Sequence, residues 1–111
     1  MRLRELLAKR QPVAVTEVVI MEVLAGARSV RHAAELRAHL LSFPVLRLNG
    51  IDGFDEAAAL FRACRAGGET VRELTDCLVA APTIAAGATL LQADRDFEVL
   101  ARHTPLRLEP V

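Results

Sequence analysis

A chain of 111 residues has room for one hydrophobic core and little more, so a single domain spanning 1–111 is expected. With 14 basic and 14 acidic side chains the formal net charge is zero, which excludes nucleic-acid binding by bulk positive charge and leaves only local basic patches. Four Phe without Tyr or Trp exclude a stacking platform for single strands, and Cys64 and Cys77 alone make neither a disulfide framework nor a zinc site. No apolar run reaches the ~20 residues of a membrane span, and Met1 opens a charged stretch, so a cytoplasmic α/β or α-rich domain is expected.

Residues 2–10 read as a short surface helix with Leu3, Leu6 and Leu7 on one side, stopped by Pro12. Val13 to Val15 is a β-prone run, and Thr16 is placed to cap the segment that follows. That segment, 16–26, is apolar all round and predicts a largely buried helix ending at Gly26. Residues 30–41 predict an amphipathic helix whose apolar set is Ala33, Ala34, Leu36, Leu40 and Leu41. Phe43 to Leu48 predicts a strand with Pro44 near its start; Asn49-Gly50 and Asp52-Gly53 then read as turns. Residues 54–66 form an Ala-rich helix with Arg62 and Arg65 on a basic stripe, ended by Gly67-Gly68.

Thr70 and Glu73 have capping-box spacing ahead of a buried helix at 76–86, where Pro82 should bend it or shift its start. Thr89 to Ala93 predicts a strand, 97–102 a short helix, and Leu106 to Leu108 a last strand. Short apolar strands alternating with helices predict an α/β fold with a parallel sheet between helical layers.

Four carboxylates are the candidates for chemistry. Glu22 lies amid Val19, Ile20, Met21, Val23 and Leu24, where a charge needs a partner or a metal. Asp76 opens the second apolar helix, and Asp94 and Asp96 follow a strand, at the edge where open parallel sheets bind ligands. An oxygen-only donor set suits Mg²⁺ or Mn²⁺ and thus phosphoryl chemistry. The competing reading makes Glu22 a salt-bridge partner of Arg28 or Arg47, Asp76 a helix cap and 94–96 a solvated turn. His32 and His39 read as solvent-facing, and both cysteines as small buried apolar residues.

Three blocks carry a resemblance: TEVVIMEVLAGA (16–27), FRACRAGGETVRELTDCLVAA (61–81) and GATLLQADRDFEVLAR (87–102). Their order and spacing resemble the PIN-domain toxins of bacterial toxin–antitoxin pairs, the VapC type, from about Val13 to Leu108. The resemblance implies a three-layer α/β/α fold and a Mg²⁺- or Mn²⁺-dependent endoribonuclease that cuts tRNA or rRNA. It implies that Glu22, Asp76, Asp94 and Asp96 hold the metal and act in catalysis. It also implies a homodimer neutralised by a small antitoxin. Arg62, Arg65 and Arg72 become candidates for RNA or antitoxin contact, and Thr16 and Gln92 for support of the acids. Gln92 stands where the family often has Thr, Ser or His, and Pro82 where it has a small helical residue. The family opens on a strand reading roughly Ile-x-x-Asp-Thr-Ser with a first acid. Residues 2–10 correspond to the helix after it, so the expected architecture lacks that strand. A degenerate PIN domain that binds antitoxin or a partner toxin without cutting is the alternative.

Overall fold

The structure is a computed structural model that describes residues 14–91 and 94–109. The helix predicted over 2–10 and the candidate Gln92 lie outside the described residues. The chain forms two compact units, one up to Arg47 and one from Leu48 onward.

In the first unit the described elements are β1 (Val15–Thr16), α1 (Glu17–Ala25), α2 (Val30–Leu40) and β2 (Val45–Leu46). The strands pair in parallel, Val15 opposite Val45 and Thr16 opposite Leu46, and the Val15 N–H donates to the Pro44 carbonyl at 3.0 Å. Thr16 leaves the strand in an extended conformation and its Oγ1 accepts from the Val19 N–H at 3.3 Å, capping α1 as its position suggests. Ser29 caps α2 in the same way through the His32 N–H.

The expected burial of α1 is not observed: only Val18 is buried, Met21 is 56% exposed, and Glu22 is exposed as well. A helix apolar all round has no preferred face, so its composition cannot say how much of it is covered. In α2, Leu40 is buried but Leu41, expected beside it, is 42% exposed because the helix has ended before it. The strand predicted over 43–48 is regular only at Val45–Leu46, with Pro44 ahead of the ladder.

The second unit contains α3 (Gly50–Ala66), α4 (Leu74–Ala85), β3 (Thr89–Leu90), α5 (Arg95–His103) and β4 (Arg107–Leu108). The turn dipeptides at 49–53 belong to the start of α3. Gly50 takes φ +53°, Asp52 sits in the first turn facing the positive helix end, and Gly53 is buried inside the helix. Gly53 is required by crowding, since a Cβ there would stand 2.9 Å from Leu48 Cδ2 and 3.1 Å from Leu48 Cβ.

Helix α4 continues through Pro82, beside which the Thr83 hydroxyl donates to the Val79 carbonyl at 2.8 Å. It starts at Leu74, and the predicted Thr70–Glu73 box does not form: Glu73 occupies the N-cap without a side-chain bond to the backbone. Gly87, at φ +64°, turns the chain into β3. Helix α5 starts two residues earlier than its apolar pattern suggests, because Asp94 caps it. Strands β3 and β4 pair in parallel, Thr89 opposite Arg107 and Leu90 opposite Leu108.

Phe97, Val99 and Leu100 of α5 pack into a core with Cys77, Val79, Ala80 and Ala81 of α4 and Ala57 and Cys64 of α3. Burying a ring such as that of Phe97 contributes about 2–3 kcal/mol. Among the described residues no helix is long and apolar enough to cross a membrane. The elements together make an α/β fold with short parallel strand pairs.

Candidate active site

The chemistry of the second unit gathers where α5 begins. Asp94 is its N-cap: Oδ1 accepts from the Phe97 N–H at 3.2 Å, and the residue is exposed. Asp96, in the first turn, is buried, with 5% of its surface exposed. Its Oδ1 accepts from the Arg72 N–H and its Oδ2 from the Glu73 N–H, both at 2.9 Å. Those donors precede the first turn of α4, so Asp96 fixes the approach to the helix, whose N-cap Glu73 makes no side-chain cap bond.

Asp76 lies in the first turn of α4, half-buried, and its side chain hydrogen-bonds Asp96. Burial pushes the Asp96 carboxyl up. The Arg72 and Glu73 amides, the bond with Asp76 and the nearby Arg95 guanidinium outweigh it, holding the carboxyl below its ordinary value. The Arg95 Nη1 stands 3.5 Å from Asp96 Oδ1 and 3.4 Å from the Thr70 carbonyl oxygen, to which it donates.

Within the second unit, the described His, Cys, Asp and Glu residues form no metal-binding group of three or more. The pair brought together is Asp76 and Asp96, with Asp94 two residues before the latter. Glu22 belongs to the first unit, on the exposed part of α1. Of the two partners expected for Glu22, Arg28 and Arg47, the latter instead stands 3.9 Å from Glu17. Arg62, Arg65 and Arg72 are exposed, and Arg65 lies over the Phe61 ring at 5.7 Å.

A cluster that the sequence left unremarked lies at the other end of α5. Glu69 accepts from Arg102 Nε at 2.9 Å and Nη2 at 2.7 Å, and its Oε1 is 2.9 Å from His103 Nε2. The Arg102 bonds first, then the His103 bond, bring the Glu69 carboxyl down to about 2. The only sequence cue is the Arg-His pair in the last turn of a helix, where cations are favoured at any helix end.

The whole of residues 1–103 matches the family model described as the PIN domain. Ribonuclease VapC11 of Mycobacterium tuberculosis is 39% identical to the chain over 95 residues, covering 86% of this chain and 71% of its own length. The chain belongs to the PIN-domain family, in its VapC branch. The VapC ribonuclease Mb1587 of Mycobacterium bovis matches over the same share at the same identity. A VapC-type PIN domain accounts for the order of elements here: an acid-bearing helix, then a strand, then the helix that Asp94 and Asp96 open.

Proposed function

We propose that this VapC-type PIN domain is the toxin of a toxin–antitoxin pair, a metal-dependent endoribonuclease acting on structured RNA such as tRNA or rRNA. The observation that carries the reading is the 39% identity, across 86% of the chain, to proteins named VapC ribonucleases. Asp76, Asp94 and Asp96 are the acids that the second unit contributes to this reading, and Glu22 of the first unit is a candidate by family resemblance alone. The donors that the described part offers are carboxylate oxygens, the type a hard divalent cation prefers. Mg²⁺ or Mn²⁺ bound by Asp76 and Asp94 would supply an activated water and neutralise the phosphate. Asp94, exposed at the start of α5, presents its carboxylate to an incoming ion. The exposed residues Arg72 and Arg95 suit an RNA phosphate. Arg62 and Arg65 offer further cationic contact to RNA or to a small antitoxin. The protein acts in the cytoplasm as a homodimer in this reading.

Incubating the chain with structured RNA and Mn²⁺, with and without chelator, tests it. Cleavage that needs the metal and falls on the order of 100-fold or more in Asp94→Asn is expected. A folded chain that leaves RNA intact at every metal concentration, yet binds antitoxin, would replace the nuclease by the non-cutting PIN domain. Sedimentation at tens of micromolar checks the dimer, and a monomer there contradicts it.

A further inference from the structure

We propose that Asp96 is a positioning residue and not a metal ligand: with one carboxylate oxygen on each of the Arg72 and Glu73 amides, it fixes the entry of α4 and so the place of Asp76. The activity arm of the inference rests on the nuclease reading above; its structural arm does not. Three observations carry it. Asp96 is almost fully buried, whereas Asp94 two residues earlier is exposed. Both of its oxygens are engaged at 2.9 Å by backbone donors 24 and 23 residues earlier in the chain. The anchored residue passes the restraint on directly, because the Glu73 carbonyl accepts from the Asp76 N–H at 2.9 Å. A continuous chain of hydrogen bonds thus runs from the Asp96 carboxylate through the Glu73 peptide to the backbone of Asp76.

Turning Asp96 toward a cation would strand two N–H donors at a helix start whose own N-cap side chain makes no bond. The same helix secures the α3–α4 connection at two further points, Arg95 on the Thr70 carbonyl and Arg102 with His103 on Glu69. Helix α5 therefore acts as a splint for the segment that delivers Asp76. The division of labour follows: Asp76 and Asp94 face the ion, and Asp96 holds Asp76 where the ion needs it.

Amide hydrogen exchange on the 111-residue chain, read by NMR, tests this together with Mn²⁺ titration and RNA cleavage. Asp96→Asn keeps the shape but has a single carbonyl acceptor for two donors. Exchange at Arg72 and Glu73 should rise about tenfold or more. Mn²⁺ affinity should fall roughly 10- to 100-fold, as for a group acting through a ligand, with kcat reduced and KM for RNA little changed. Asp94→Asn should weaken Mn²⁺ binding with Arg72 and Glu73 exchange unchanged. Should Asp96→Asn not fold, Asp76→Ala decides: Asp96 keeps both donors there, so protection at Arg72 and Glu73 persists while Mn²⁺ binding is lost. Unchanged exchange in Asp96→Asn, or loss of protection in Asp76→Ala, overturns the proposal. Absence of cleavage by every version, with the exchange pattern as expected, sinks the nuclease reading and leaves the positioning role standing.

Discussion

Cys64 and Cys77 are fully buried free thiols on α3 and α4, and Cys77 lies near the acid pair. Burial first, then the neighbouring Cys64, Asp76 and Asp96 charges, push the Cys77 thiol up to about 11; burial and Glu69 also raise Cys64. A thiolate is the reactive form, so both groups should be inert in the folded chain. A chromogenic disulfide reagent at pH 8 should label neither within minutes and both on unfolding in guanidinium. Fast labelling of one thiol in the native chain would contradict the packing described. Cys77→Ser places a hydroxyl in the same apolar setting and should destabilise by about 1–3 kcal/mol, read as a lower urea midpoint. This much is legible in the sequence, because a small thiol on an Ala-rich helix has little else to do than pack.

Helix α3 shows where reading the sequence by residue type fails. Asn49-Gly50-Ile51-Asp52-Gly53 carries two turn dipeptides, yet α3 begins inside it. The reason is tertiary: Leu48 presses on Gly53, and no local pattern reveals that the glycine is there for space. Gly53→Ala gains about 1 kcal/mol of helix propensity and forces a Cβ against Leu48 Cβ, an overpacking that costs about 1–3 kcal/mol. The net expectation is a modest loss of stability, and a rise in thermal midpoint would show that Leu48 moves freely. Gly67→Ala meets the His103 ring instead, with Nδ1 the atom nearest the new Cβ. That ring can swing away only by leaving Glu69, so the His103–Glu69 contact should disappear from the variant. The α5 boundary escapes the sequence for a similar reason: Asp94 and Asp96 look like a turn after a strand, and both are parts of a helix start. The position of Asp94 alone marks it as a cap. The reach of Asp96 to Arg72 and Glu73 has no such mark, since it joins residues more than twenty apart.

Across the whole second unit, the family pattern is legible because acids at fixed places along an α/β chain are a one-dimensional signal. The splinting of the α3–α4 connection by α5 is a three-dimensional one, and it sets how the fold responds to acid. Glu69 titrates at about 2 in the folded chain against an ordinary 4.5, and Asp96 is shifted the same way from 3.8. A carboxyl whose folded pKa is depressed adds stability that is complete above its unfolded pKa and is lost as pH falls toward the folded value. For Glu69 that window runs from about 4.5 down to about 2. Urea midpoints of the chain should therefore decline through this range, and those of Glu69→Gln should decline less. The variant should be the weaker protein at pH 7 and should converge on the parent near pH 2, where Glu69 is itself becoming neutral. Glu69 lies at the surface, so the gap at pH 7 should shrink in about 1 M salt, where the screening length is ~3 Å. A gap that persists undiminished at pH 2 would mean that the Glu69→Gln substitution disrupts packing, and that the Arg102–His103 clamp stabilises by shape rather than by charge.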